Sequence, residues 1–360
     1  MTSVFVFISG AVLLIYSAEK LISHLIGIAS GLRVSVFLLA IIFTGIEFDD
    51  IALGVALNLE DLEGVALGVV FGTALSMTGV VLALAAILTP TKVKIPRDYI
   101  VILAVAPLLM IPFTLTAPLT PVHAVVLLAL VVMFIAYVVA RELRAGTPVF
   151  RDAEMYEEFA AARRPGGGTT TAVRSVGGEG EGPPEKDAGQ DVAESMPFGD
   201  VGRRSGWTRL GLAVLALAGL MIGAATTGIG TEGILETYGL EGTLFGATIA
   251  TAVLTIEDIF LTVEPIRRGV PEIGVGNVIG SVVFSVTGKL GIILLAGGIV
   301  VTPNVLSWHL PVLIVVTGLG AYFISTGRLR RWHGYALLAL YIAYWAVSFA
   351  TFGAPPIEMD

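Results

Sequence analysis

Two short acidic stretches, Thr44-Gly45-Ile46-Glu47-Phe48-Asp49-Asp50 and Thr255-Ile256-Glu257-Asp258, sit inside hydrophobic runs long enough to cross a bilayer. An ionised carboxylate at mid-membrane costs roughly 2.5–3.5 kcal/mol on insertion scales, so a group of them in such runs points to function. The chemistry they suit is cation binding. Hard cations such as Ca²⁺ take about 6–8 oxygen ligands at about 2.3–2.6 Å. Asp50 and Asp258 can supply charge, and Glu47 and Thr255 precede them by three residues, which places each pair on one face of a helix. Ser281 and Ser285 add neutral oxygens. Asp49 and Glu257 point about 100° away from their neighbours and suit a second cation or a proton. Left unpaired, such acids are driven toward protonation by desolvation and mutual repulsion, which fits proton coupling as well as metal binding.

The two stretches are also copies of one another. An offset of 208 residues aligns Gly31–Val80 with Gly239–Gly288 without a gap. Identical pairs include Gly31/Gly239, Leu32/Leu240, Phe37/Phe245, Ile41/Ile249, Asp50/Asp258, Ile51/Ile259, Leu53/Leu261, Gly68/Gly276 and Gly72/Gly280. Acids therefore recur at one register in both halves of the chain.

The elements that must position them are membrane helices. Hydrophobic residues make up 55% of the 360 and charged residues only 14%, which excludes an ordinary soluble domain. Barrel strands would alternate apolar and polar positions, whereas these runs are apolar on all sides. With no cysteine there is no disulfide framework, zinc knuckle or iron–sulfur site. The net charge of −8 is spread over loops and the acidic stretches, with no basic stripe for nucleic acid. Only Met1-Thr2-Ser3 precede the first apolar run, so no positive leader of a cleavable signal is expected.

Apolar segments fall at Val4–Ile28, Val34–Leu57, Gly64–Leu88, Tyr99–Leu115, Val122–Val139, Leu210–Ile229, Leu244–Val263, Ile273–Val301, Leu310–Thr326 and Gly334–Phe352. Each is long enough to span a core of about 30 Å at about 1.5 Å per residue. The expected fold is an all-α polytopic membrane protein of about ten transmembrane helices, as N-terminal (1–140) and C-terminal (207–360) five-helix repeats. Between them, 141–206 forms a linker whose Gly166-Gly167-Gly168-Thr169-Thr170-Thr171 and Glu179-Gly180-Glu181-Gly182-Pro183-Pro184 cannot supply a core, with at most a short helix around Asp152–Arg163. Lys92, Lys94, Arg97, Arg141, Arg144, Arg203, Arg204, Arg267, Arg268, Arg328, Arg330 and Arg331 all fall on one side of an alternating ten-span plan. The opposite loops carry Glu60, Asp61, Glu63, Glu232, Glu236 and Glu241. The positive-inside rule then puts both termini outside and the linker in the cytoplasm. Five spans is an odd number, so the repeats must be inverted, and such folds place substrate near the midplane where interrupted helices meet.

At these residues the sequence resembles the Ca²⁺:cation antiporter superfamily, which includes the sodium/calcium exchangers. That family carries two inverted repeats, each with a Gly-Thr-Ser-x-Pro-Glu segment and, in the next helix, a Gly-Asn-x-x-Gly-Ser-Asn-x-Phe-Asn segment. The later segment stands here as Gly276-Asn277-Val278-Ile279-Gly280-Ser281-Val282-Val283-Phe284-Ser285, and in the first half as the skeleton Gly68-Val69-Val70-Phe71-Gly72-Thr73-Ala74-Leu75-Ser76. Counting back from those glycines, the family's essential glutamates fall on Asp50 and Asp258, its proline on Asp49 and Glu257, and its serine on Glu47 and Thr255. Its later hydroxyl and carboxamide ligands fall on Thr73 and Ser281, then on Met77 and Ser285. Asp thus stands for Glu, the proline is absent, and Met77 offers no hard oxygen. The resemblance implies efflux of Ca²⁺ against an inward flow of Na⁺ or H⁺, with no cofactor.

Lys289 follows Ser281 and Ser285 at i+4 steps and so shares their face, about 10 residues or roughly 15 Å from the nearer end of its expected span. Snorkelling to the interface is the ordinary account of such a lysine. The sharper one is a tethered ammonium that pairs with the acids, displaces one transported cation and changes the stoichiometry. Gly68, Gly72, Gly276 and Gly280 read first as close-packing positions. Glu19 and Lys20 read as a structural pair, and His24, His123, His309 and His333 as interfacial.

Together these residues describe a secondary active antiporter for inorganic cations in the plasma membrane, Ca²⁺ exchanged for Na⁺ by alternating access. Asp50 and Asp258 are the principal ligands, assisted by Glu47 and Thr255 and then by Ser281, Ser285, Thr73 and Asn277. Ca²⁺/H⁺ or Na⁺/H⁺ exchange is the alternative, favoured by the surplus carboxylates and Lys289. An intramembrane aspartyl hydrolase would also need two aspartates on separate helices, but it gives no reason for the 208-residue register. A non-transporting ion sensor is a further alternative.

Overall fold

The computed structural model of the protein describes residues 2–31, 47–142, 206–267, 269 and 271–353. The first half holds α1 (Thr2–Gly31), α2 (Phe48–Leu59), α3 (Glu63–Leu88), α4 (Arg97–Leu115) and α5 (Pro121–Glu142). The second holds α6 (Gly206–Tyr238), α7 (Gly242–Ile256, continuing as Asp258–Arg267), α8 (Pro271–Ala296), α9 (Val305–Ser325) and α10 (Arg331–Phe352). Eight of these are long and apolar enough to cross a membrane, and the bent α7 makes a ninth. The tenth expected span, Val34–Leu57, is described only from Glu47 onward. The linker, with its suggested helix around Asp152–Arg163, lies outside the described residues.

Burial sorts the helices into layers. In α3 and α8, 83% and 89% of the most apolar window is buried, against 22% in α5 and α10. The first pair is the centre of the molecule and the second faces lipid. Both central helices are apolar on every side, as a helix surrounded by others should be. Their small residues let α3 lie backbone to backbone on α7: a Cβ on Gly68 would stand 2.4 Å from the Thr243 carbonyl oxygen.

The 208-residue offset is visible in the backbone. A π-helical turn over Met77–Val81 of α3 recurs at Ser285–Lys289 of α8. In the first half Glu47 is an extended N-cap (φ −83°, ψ 90°) from which α2 starts. Near the equivalent stretch, the second half bends by 57° between Ile256 and Asp258. Thr91 of β1 (Thr91–Lys92), which pairs with β2 (Arg328–Leu329), matches Ile299, which forms a lone bridge with Leu119.

These short pairings gather the loops at two ends. At one, β1 and β2 bring Lys92 and Arg328 together and the Lys94 amide donates to Glu272 Oε1 at 3.1 Å. At the other, Leu119 meets Ile299, Asn58 Nδ2 donates to the Ile293 and Gly297 carbonyls at 3.0 Å each, and Glu60 lies over Gly228. The basic and acidic loops are thus separated as the charge pattern predicts.

Several expectations need correction. The eighth span ends at Ala296, not Val301, because Gly297 and Gly298 break it and Ile299 turns to pair with Leu119. Lys289 is consequently seven residues from its helix end. His309 and His333 are not interfacial but buried: His309 Nδ1 meets the Tyr344 hydroxyl at 2.8 Å, and His333 stacks on Phe323 with ring centroids 4.2 Å apart. Glu19 and Lys20 do pair, at 3.2 Å.

Candidate cation site

The site begins at the N-terminus of α2. Glu47 N-caps the helix without a side-chain capping bond, so its carboxylate is free to point elsewhere, while its carbonyl accepts the first helical bond from Ile51 N at 3.1 Å. Asp49 and Asp50 follow in the first turn, where the unsatisfied amides and helix dipole favour negative charge. Glu47 and Asp50 do not share a helical face as the spacing predicts, since Glu47 is not helical. They converge nonetheless, because one cation holds both.

That cation is Lys289. Its ammonium donates to Glu47 Oε2 and to Asp50 Oδ2, and the side chain is 0% exposed. Snorkelling is ruled out by this geometry. The same Asp50 Oδ2 accepts from Thr73 Oγ1 at 2.6 Å. Two first-repeat carboxylates, a hydroxyl from α3 and an ammonium from α8 therefore form one buried network that crosses the repeat boundary. Such a network is held firmly only when its members are satisfied together.

The remaining candidates are placed around it. Ser281 and Ser285 lie on α8 before Lys289, both buried, and their hydroxyls have no hydrogen-bond partner among the described residues; the same is true of Glu47 Oε1. Thr255 reaches the network indirectly: its hydroxyl meets Ser76 Oγ at 2.9 Å, and Ser76 lies one turn beyond Thr73 on α3. Asn277 is turned within its own repeat, donating Nδ2 to Thr262 Oγ1 at 3.1 Å. Asp49 and Asp258 are buried, and the side chain of Glu257 lies outside the described residues. Among the described residues, no group of three His, Cys, Asp or Glu side chains is gathered as a metal cluster would need. The donors are instead paired carboxylates plus hydroxyls.

Sequence reasoning missed Ser76 and Thr262. Neither has a matching polar residue 208 positions away, since Phe284 and Gly54 stand there. Helical spacing from Thr73 was the available signal for Ser76.

Chemically, the arrangement stabilises positive charge in a dry place. Unpartnered hydroxyl and carboxylate oxygens beside an ion pair are hard donors suited to Na⁺ or Ca²⁺.

Comparison with known proteins agrees with this chemistry. Residues 2–141 and 208–350 match the sodium/calcium exchanger protein family. Over 137 residues the chain is 31% identical to the sodium/calcium exchanger MaX1 of Methanosarcina acetivorans, an alignment covering 38% of this chain and 39% of that protein. The match thus spans well under half of that relative. Structures of the sodium-calcium exchanger NCX_Mj share the fold. One soaked with 10 mM Na⁺ and 10 mM Sr²⁺ superposes with a TM-score of 0.56 at 19% identity, covering 96% of this chain and 97% of that one. Another, soaked with 2.5 mM Na⁺ and 0.1 mM Ca²⁺, gives the same TM-score and identity over 96% and 98%. With four-fifths of its residues inside the family match and its helices in the same arrangement, the chain belongs to the sodium/calcium exchanger protein family of the Ca²⁺:cation antiporter superfamily.

Proposed function

We propose that the protein is a secondary active cation antiporter that moves Ca²⁺ out of the cell in exchange for Na⁺, by alternating access to the carboxylates at the centre of the molecule. One observation carries this reading: Glu47 and Asp50, at the N-terminus of α2, already hold a cation between helices of both repeats. A place that desolvates and binds an ammonium is built for positive charge. Asp50 and Asp258 supply the principal charge, and Glu47, Thr73, Thr255, Ser281, Ser285 and Asn277 supply further oxygens. Asp49 and Glu257 serve a second cation or a proton. The protein sits in the plasma membrane with both termini outside and residues 141–206 in the cytoplasm, the side to which the basic loops belong.

Exchange against H⁺, of Ca²⁺ or of Na⁺, is a second reading with its own support. Lys289 engages two first-repeat carboxylates, Glu47 and Asp50, which reduces the charge left for a divalent ion. Counterflow in reconstituted vesicles separates the two. With Na⁺ and H⁺ gradients imposed one at a time, an outward Na⁺ gradient alone should drive radiolabelled Ca²⁺ inward. Uptake driven only by the H⁺ gradient selects the second reading. No uptake under either gradient removes Ca²⁺ as the substrate.

A further inference from the structure

We propose that Lys289 serves as a resident cation, which lets this carrier reorient with no inorganic cation bound and so carry out net cation transport as well as exchange. The inference rests on the cation-antiporter reading of the same site.

The π-helical turn that ends at Lys289 is repeated in α3 over Met77–Val81, where Val81 occupies the matching position. That turn forms, and Val81 packs at 0% exposure, without any charge. The fold therefore does not need an ammonium there. It appears in one repeat only, and it is spent entirely on two carboxylates of the other repeat.

Two carboxylates closed off from water with no partner carry an effective penalty of several kcal/mol per charge. In an exchanger that penalty is useful: the empty carrier cannot pass through its occluded state, so each outward journey must be matched by a loaded return. A permanent ammonium between Glu47 and Asp50 cancels one of the two charges and lowers the penalty. Lys289 suits the task because its charge is compact and rides on a flexible stem. The inorganic cation would then use the acceptors that the lysine leaves open, Glu47 Oε1 and the hydroxyls of Ser281 and Ser285, all buried and without partners among the described residues. After it departs, the ammonium still offsets part of the carboxylate charge, and the return step is open.

The test is made on the full chain in vesicles that contain only choline, with a permeant anion to balance charge and an internal dye to report proton exit. Uptake of radiolabelled Ca²⁺, and in parallel of Na⁺, is compared with uptake into vesicles loaded with a counter-cation, using protein-free vesicles as the baseline. The wild type should take up label without a counter-cation and without internal alkalinisation. Lys289→Met should lower the ratio of net to exchange flux by about tenfold or more, as expected for restoring an uncompensated buried charge. Lys289→Arg, which keeps the charge, should preserve the ratio. A ratio is insensitive to how much of a variant folds, so a structural role alone would leave it unmoved. Wild-type exchange that strictly needs a counter-cation, net uptake matched by proton exit, or an unchanged ratio in Lys289→Met each overturns the inference while leaving the antiporter reading intact. Absence of any cation movement in either vesicle overturns both.

Discussion

Asp50 is where the two halves of the molecule meet chemically, since its Oδ2 receives the Thr73 hydroxyl at 2.6 Å and the Lys289 ammonium. A hydrogen bond to a charged acceptor contributes more than a neutral one, about 1.5–3 kcal/mol. Thr73→Val keeps the shape and removes the donor. It should raise the half-saturating cation concentration in vesicle uptake by about tenfold or more, whereas Thr73→Ser should stay near wild type. Unchanged half-saturation in Thr73→Val would show that this hydroxyl does not shape the site. The charged members of the site were legible in the sequence because a carboxylate or ammonium in an apolar run carries a cost that chance seldom leaves standing. Ser76 was not, because a serine in a membrane helix is as readily a packing residue as a ligand holder. Nor was the way Glu47 and Asp50 converge: i,i+3 spacing assumes a continuous helix, and Glu47 is extended.

The helices are fixed by close backbone approach and by a few buried polar clasps. A Cβ on Gly72 of α3 would stand 2.2 Å from Thr251 Oγ1 and 2.7 Å from Ala247 Cα on α7, with backbone on one side that cannot step away cheaply. Gly72→Ala should therefore lower the thermal unfolding midpoint in detergent, in line with an overpacking cost of about 1–3 kcal/mol. A second clasp is Asn58 of α2, whose amide nitrogen serves both the Ile293 and Gly297 carbonyls where α8 ends. Asn58→Leu strands two carbonyls and should destabilise by about 1–3 kcal/mol, read from the same midpoint; an unaltered midpoint would mean that neither bond contributes. Helix number, order and the repeat were readable because length and hydropathy decide what can span a bilayer. The extended backbone at Glu47, the bend between Ile256 and Asp258, the two π-helical turns and the early end of α8 were not. No proline marks these positions, and tertiary contacts such as the Leu119–Ile299 bridge set where the helices stop.

At the scale of the whole molecule, the loops that carry lysine and arginine gather at one end and the acidic loops at the other. The chain has no cysteine, so single cysteines report sidedness cleanly. Thr169→Cys in the linker should react with a membrane-impermeant maleimide only in inside-out vesicles, and Glu236→Cys only in right-side-out ones. The reverse pattern would invert the proposed orientation. Family membership and fold place the protein in an exchanger family, and the proposed function adds that a cation crosses at carboxylates of both repeats. Radiolabelled Ca²⁺ uptake into reconstituted vesicles under an outward Na⁺ gradient tests this directly, with wild type beside Asp50→Asn and Asp258→Asn. Robust wild-type uptake that falls to the protein-free baseline in each variant is the expected result. Uptake that survives both substitutions would contradict the assignment of these aspartates to the transport site.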